Sequence, residues 1–407
     1  MRHMELLAPA GNADKLQMAI RYGADAVYCA GRAFGLRAAS SNFSNEELRE
    51  AVAFVHAHGK KIYVTCNIIP HNEDLDGLED YLRFLEEIGV DAIIVADLGI
   101  FHLARKVAPG LELHVSTQAN TTNYLTADFW KSQGATRVVV AREVSIEDIK
   151  EMKEKAGIEI ETFVHGAMCI SYSGRCLLSN YFSKGTRDAN RGQCTQSCRW
   201  KYSLVEENRP GEYYPIEEDE SGTYIFNSKD LCLLEYIPQL YAAGVDSLKI
   251  EGRMKSVHYA ATVTKVYREA IDAFLSEGDD YYVRPEWLEE LEKVSHRPYT
   301  EGFSVDRPGA DGQNYGQSSN TQTHDFIGLV KGYNETEKFA CIEQRNNFKL
   351  GDEVEFCLPH GPVVKHVISK MTDADGNDIT VAPHAQMQVR IYIDTPLEAF
   401  GMMRRKI

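Results

Sequence analysis

From Met4 to Lys249 short apolar runs alternate with amphipathic segments at fairly even intervals, the strand-then-helix rhythm of a parallel sheet. Eight strands are predicted, at Glu5–Ala10, Ala24–Ala30, Lys61–Ile69, Asp91–Ala96, Leu111–Ser116, Arg137–Ala141, Ile158–Val164 and Ser247–Ile250. Each is rich in Val, Ile, Leu or Tyr, as strands buried on both faces should be. Between them, Ser44-Asn45-Glu46-Glu47 and Ser145-Ile146-Glu147-Asp148 place a capping hydroxyl three residues before an acid, opening the second and sixth helices. Gly23, Gly59, Gly89 and Gly134 stand just before the next strand, where a helix ends. Eight such units, with no G-x-G-x-x-G after the first strand, predict an α/β fold of the closed (β/α)8, TIM-like type rather than an open doubly wound sheet.

The rhythm is interrupted once and then stops. About 80 residues separate the seventh and eighth strands, far more than a usual connection, and a loop of that length is normally functional. Its second half is expected to end in a helix, Leu231–Ala243. A long helix, Val257–Ser276, follows the eighth strand, and a Gly/Pro/Asn/Gln/Ser-rich stretch from Arg307 to Asp325 looks like a linker. From Phe326 to Ile407 short alternating strands with turn signals suggest a small antiparallel β-barrel. The expected organisation is thus a barrel over residues 1–280 with an insertion at about 166–230, a linker at 281–325, and a β domain at 326–407.

Composition narrows the function classes. The chain has 407 residues, 43% of them apolar, and no stretch approaches the roughly 18 apolar residues of a membrane helix. Glu5 and Pro9 come before any signal-peptide core could form, so a cytoplasmic protein is expected. A formal charge of −16 argues against non-specific coating of nucleic acid. Locally the sign reverses: Arg175, Lys184, Arg187, Arg191, Arg199 and Lys201 face a single acid, Asp188, in the same stretch, with Tyr172, Tyr181, Phe182 and Trp200 interleaved. Arg and aromatic side chains together suit phosphate contact and stacking on a splayed-out base, the bland alternative being a solvated loop that braces its neighbours. The run Glu217-Glu218-Asp219-Glu220 reads as a solvated loop.

Nine cysteines in a reducing compartment are more often ligands or catalysts than disulfides. Cys29, Cys66, Cys341 and Cys357 lie singly on predicted strands and read as small buried apolar side chains. Cys169, Cys176, Cys194, Cys198 and Cys232 all fall in or beside the insertion. Four thiolates suit zinc or an iron–sulfur cluster. Only Cys194 and Cys198 form a tight pair, and the wide remaining gaps favour a cluster over structural zinc, with scattered structural or redox cysteines as a third reading. The preferred ligand set is Cys169, Cys176, Cys194 and Cys232, with Cys198 as substitute for Cys194. Cys232 would fall in the first turn of the expected helix, where the dipole favours an anionic centre.

The run Glu161-x-Phe163-x-x-Gly166-Ala167-Met168-Cys169-x4-Gly174-x-Cys176-x-Leu178-Ser179 resembles the signature of the collagenase-like peptidase family, whose better understood members hydroxylate tRNA, ribosomal RNA or ubiquinone precursors. The opening Glu5-Leu6-Leu7-Ala8-Pro9-Ala10-Gly11, the block from Arg187 to Cys194 and the phrase Lys249-Ile250-Glu251-Gly252-Arg253-Met254-Lys255 look like the family too. Length and the appended β domain are most similar to the tRNA-hydroxylating branch. What the resemblance implies is an iron–sulfur cluster of the 4Fe-4S type, with wobble uridine 5-hydroxylation of a tRNA anticodon loop and prephenate as the small-molecule hydroxyl donor. It leaves room for a homo- or hetero-oligomer with a related chain, as in the ubiquinone-pathway pairs, and for the peptidase activity of the family's name.

Barrel enzymes react at the C-terminal ends of their strands. Candidates there are Asn67, Asp97, Gln118, Asn120, Arg142, Glu143, His165, Glu251 and Arg253. His165, Gln118, Asn120 and Glu251 are the expected catalytic set, His165 as acid or base. His114, Ser116, Gln118 and Asn120 would share one face by period two, a polar row suited to a pocket. Arg142 and Arg253 could hold carboxylates in bidentate fashion, and Arg187, Arg191, Arg199 and Lys201 could meet RNA phosphates.

Overall fold

The structure, a computed structural model, describes residues 2–35, 42–169, 176, 178–184, 186–187, 189, 193–197, 204–205, 213–214, 228–305 and 321–407. Seven parallel strands come first: β1 (Glu5–Pro9), β2 (Ala26–Cys29), β3 (Lys61–Cys66), β4 (Ala92–Val95), β5 (Glu112–Val115), β6 (Arg137–Val139) and β7 (Glu159–Ala167). The chain then leaves the barrel and forms the two-residue strands β8 (Leu204–Val205) and β9 (Tyr213–Tyr214) and the strand β10 (Asp230–Cys232), before β11 (Ser247–Ile250) completes it. β11 lies parallel to β7 through Ser247 and Glu161 and parallel to β1 through Ser247 and Glu5, so the eight predicted strands close into a barrel.

Around it run α1 (Ala13–Arg21), α2 (Asn45–Ala57), α3 (Leu78–Glu87), α4 (Leu98–Val107), α5 (Tyr124–Ser132), α6 (Ile146–Ala156), α7 (Leu178–Phe182), α8 (Ile237–Ala242), α9 (Val257–Glu277) and α10 (Pro285–Leu291). Both predicted caps are made: the Ser44 hydroxyl accepts the Glu47 N–H at 3.2 Å, and the Ser145 hydroxyl accepts the Asp148 N–H at 3.1 Å. Gly23 and Gly134 adopt φ of +104° and +96°, a turn that side-chain-bearing residues resist, and send the chain from helix back to strand.

Two expectations are corrected. Leu231–Ala243 is not one helix: β10 pairs antiparallel with the overhanging end of β7 (Asp230 with Ala167, Cys232 with His165), and helix α8 starts only at Ile237, where Pro238 favours a first turn. The extra length of β7 offers ladder hydrogen bonds that outweigh local helix propensity, and Cys232 therefore lies in a strand, not at a helix N-terminus. Residues 281–305 are not loose linker either, since they hold α10 and β12 (Tyr299–Thr300), which pairs with β10.

The C-terminal region is an antiparallel sheet curled like a half-barrel, built from β13 (His324–Asn334), β14 (Phe339–Gln344), β16 (Glu353–Cys357), β17 (Val364–Val367), β18 (Met371–Asp373), β20 (Gln388–Tyr392) and β21 (Met402–Lys406), with β15 (Phe348–Lys349) and β19 (Val381–Ala382) as a separate pair. It docks on α1 and α9. Met18, Tyr22 and Ala261 pack against Leu329, Cys357 and Met402, and the Lys265 ammonium donates to the carbonyls of Leu358 (2.7 Å) and Gly361 (2.8 Å). Arg404, fully buried, bridges Glu290 of α10 at 2.6 Å and Glu355 of β16 at 3.1 Å. Among the described residues no helix is long and apolar enough to cross a membrane.

Candidate functional site

The barrel interior is charged at its base. Arg137 of β6 donates to Glu5 at 2.6 Å and to Glu161 at 3.3 Å, Lys249 donates to Glu161 at 2.8 Å, and the Glu5 carboxylate also accepts from Tyr63 (2.6 Å) and Ser247 (2.7 Å). Burial alone would raise the Glu5 pKa, but the Arg137 guanidinium, with the hydrogen bonds from Tyr63 and Ser247, more than offsets it and holds Glu5 below the usual range. His114, fully buried, stands edge-on to Tyr63 with centroids 4.7 Å apart, and burial depresses its pKa.

Above this layer the ring of Phe163 lies between two cations, with Lys249 5.4 Å and the Arg142 guanidinium 3.8 Å from its centroid. Arg142 donates to Glu251 at 3.1 Å, both side chains retaining slight exposure at the C-terminal end of the strands. Glu251 is held by its backbone: its N–H donates to the His165 carbonyl and its own carbonyl accepts from Tyr259. Gly166, at φ +107°, leaves room for this, because a Cβ there would come within 2.5 Å of the Glu251 carbonyl oxygen. Two residues on, the Arg253 side chain donates to Thr65 at 3.1 Å while its carbonyl accepts the Lys15 ammonium at 3.1 Å. Across the mouth Asn67 donates to the Ser116 hydroxyl at 3.4 Å, and Ser116 caps the short turn Thr117–Ala119 by accepting the Gln118 N–H. That turn ends the period-two row: His114 and Ser116 are buried, whereas Gln118 lies within the turn and Asn120 in a left-handed conformation at its end (φ +54°). Asp97 is spent on capping α4, accepting from the N–H groups of Gly99 and Ile100.

The His165 ring lies among three tyrosines. It is 1% exposed, and neither ring nitrogen has a hydrogen-bond partner among the described residues. Its ring centroid is 5.2 Å from Tyr299, 5.5 Å from Tyr267 and 6.0 Å from Tyr259, and burial holds its pKa down to about 3, so the imidazole is neutral. The nearby Asp230–Arg297 ion pair is also buried, with contacts of 2.9 and 2.5 Å.

The cysteines fall on two pieces of chain. Cys169 lies just past β7 and Cys232 ends β10, opposite His165. Cys176 and Cys194 belong to segments joined through Ser179, whose hydroxyl accepts the Thr195 N–H at 3.0 Å. Among the described residues no group of three or more His, Cys, Asp or Glu side chains is drawn close enough to hold a metal ion. Each of three sulfurs accepts the backbone N–H of the second residue onward: Cys176 from Leu178 at 3.4 Å, Cys194 from Gln196 at 3.4 Å, and Cys232 from Leu234. Such N–H···S bonds stabilise anionic sulfur in metal sites. Burial raises the Cys232 pKa, and it pushes those of the core residues Cys29 and Cys66 up to about 12.

Arg187 is exposed in the turn after α7, its N–H bonded to the Ser183 hydroxyl. Arg191, Arg199, Lys201, Cys198 and the acidic run at 217–220 lie outside the described residues. Sequence reasoning missed Phe163, Lys249 and the tyrosines 259, 267 and 299. The recurring signal was available for Glu5, Arg137, Glu161 and Lys249, which are ionic residues at alternate positions of otherwise apolar strands.

Residues 11–314 match Peptidase family U32, and residues 322–404 match the Peptidase family U32 C-terminal domain. The chain is 47% identical to tRNA hydroxylation protein P1 of Bacillus subtilis over 98% of its length and 94% of that protein's. It is 38% identical to tRNA hydroxylation protein P of Escherichia coli over 97% of its length and 94% of the relative's. It is also 38% identical to the 23S rRNA 5-hydroxycytidine C2501 synthase of Escherichia coli, over 81% of this chain and 48% of that one.

Proposed function

The chain belongs to Peptidase family U32, and from that premise we propose that it is an RNA hydroxylase that adds a 5-hydroxyl to the wobble uridine of tRNA in the cytoplasm, with prephenate as hydroxyl donor. The observation that carries this reading is end-to-end likeness to a tRNA hydroxylation protein, through both the barrel and the C-terminal sheet. The barrel mouth supports it chemically. Arg142 is held over Phe163 with one nitrogen committed to Glu251, so the other N–H groups of its planar fork could meet a carboxylate-bearing donor. Arg253 and Lys15 add positive charge on the same side, and Glu251 sits where it could hold a proton near the reacting base. The basic, aromatic insertion between Arg175 and Lys201 would meet the phosphates and loop bases of the anticodon stem-loop.

Cys169, Cys176, Cys194 and Cys232 would hold an iron–sulfur cluster, with Cys198 as the substitute for Cys194. Such a cluster, when bound, supplies one-electron chemistry that no protein side chain here offers. A peptidase using the Cys232 thiol is disfavoured, because burial raises its pKa and leaves it a poor nucleophile. The test is nucleoside mass spectrometry of tRNA from a deletion strain in which no second family member covers the loss. Loss of 5-hydroxyuridine derivatives, restored by the wild-type gene and not by Cys176→Ser, is expected. Unchanged 5-hydroxyuridine levels would overturn the reading.

A further inference from the structure

We infer that Phe163 is a positioning residue that acts through Arg142: its ring face holds the guanidinium where a carboxylate of the hydroxyl donor can be received, and so sets the affinity for that donor. This rests on the reading proposed above, in which Arg142 meets a carboxylate-bearing donor.

Arg142 combines a fixed backbone with a long side chain. It follows β6 in a turn closed by the Val144 N–H on the Ala141 carbonyl at 3.2 Å, and the Ala141 N–H is itself tied to the Thr121 carbonyl at 3.0 Å. On such a turn an arginine side chain still has its rotamer freedom, which a ligand would have to remove on binding unless the protein removes it first. Two contacts do so. The guanidinium carbon lies 3.8 Å from the Phe163 centroid, the shortest cation–ring distance among the described residues. One nitrogen donates to a Glu251 oxygen at 3.1 Å. An arginine facing a carboxylate often closes two parallel N–H bonds on it, whereas here Glu251 takes one. The ring competes for the same group: a guanidinium held over Phe163 is kept from closing the second bond, and its remaining N–H groups stay available to a ligand.

Phe163 can impose this because it has little room to move. It is 5% exposed and lies in register with Lys249 of β11. On β7 it stands two residues from Glu161, which is bonded to Arg137 and Lys249, and two residues from His165, whose carbonyl accepts the Glu251 N–H. The strand that carries the ring therefore also fixes the residue on the other side of Arg142. Lys249 approaches the same ring at 5.4 Å, but its ammonium is held by Glu161 at 2.8 Å, which leaves Arg142 as the cation that the ring steers.

The experiment measures prephenate binding by isothermal titration calorimetry, without RNA, to the full-length protein. Wild type is compared with Phe163→Leu and with a chain carrying 3,4,5-trifluorophenylalanine at position 163, each with and without Arg142→Met. Fluorination drains negative charge from the ring face at nearly constant shape, so a residue that merely fills space would not register it. The dissociation constant should rise about fivefold in Phe163→Leu and by a similar factor in the fluorinated chain. In the Arg142→Met background neither change should add to the loss. Wild-type affinity in the fluorinated chain, or the same loss with and without Arg142, overturns the inference while leaving the donor reading in place. Should Phe163→Leu fail to fold, or Arg142→Met bind no prephenate, the fluorinated chain decides alone. No binding of prephenate by wild type overturns the donor reading and the inference with it.

Discussion

The base of the barrel and its mouth use the same residue types to opposite ends. At the base all four carboxylate oxygens of Glu5 and Glu161 are bonded, to Arg137, Lys249, Tyr63 and Ser247, and the set is buried. At the mouth Arg142 and Glu251 pair through one contact of 3.1 Å and keep 11% and 14% side-chain exposure. Charges closed on themselves hold strands together and have little left to offer a ligand. Those that meet each other sparingly, at the open end, can exchange a protein partner for a substrate group.

The sharpest way to break that contrast is at the base. Arg137→Met leaves Glu5 and Glu161 buried without their cation, which should cost about 3–5 kcal/mol of unfolding free energy in a denaturant titration. A near-neutral result would mean the network is dispensable. At the mouth the expected effect is smaller and of another kind. Arg142→Met should leave the midpoint of unfolding nearly in place while lowering kcat/KM for hydroxylation about tenfold to a hundredfold, roughly 1.4–2.8 kcal/mol of transition-state binding. If stability fell as far as for Arg137, the two regions would not differ in role. The smallest effect comes from outside both. His258, stacked on Phe326 at the domain contact, is buried and held neutral, with its pKa pushed down by burial to about 3. An unfolded histidine titrates near 6.5, so between those values the unfolded chain binds a proton that the folded one refuses. Stability is therefore full above about pH 6.5 and falls as the pH drops, by about 1.4 kcal/mol per unit from this group. His258→Gln should flatten the pH dependence of the melting temperature between pH 6 and 4.5 relative to wild type, and an unaltered slope would assign the acid sensitivity to other groups.

The barrel was legible because each strand carries its own signal: Val, Ile and Leu runs closed by helix-ending glycines, and caps such as Ser44 and Ser145 whose hydrogen bonds are local in sequence. β10 was not, since what makes Asp230–Cys232 a strand is the free edge of β7, more than sixty residues away in the chain, and nothing in Asp-Leu-Cys announces it. For the same reason Arg142 and Glu251 could be named as mouth residues but not as partners. The polar row on β5 failed after Ser116 because that hydroxyl folds back onto the Gln118 N–H and ends the extended conformation. His165 was picked for its chemistry, whereas its tyrosine surroundings depend on α9 and β12 converging from distant parts of the sequence.

Helix α9 is buried without a break from His258 to Tyr267. Tyr259 and Tyr267 face the end of β7, while Ala261 and Lys265 are committed to the C-terminal sheet. The appended sheet is thus less a passenger than a backstop: whatever loosens its grip on α9 also slackens the wall that Tyr267 presents to Val164 and Cys232.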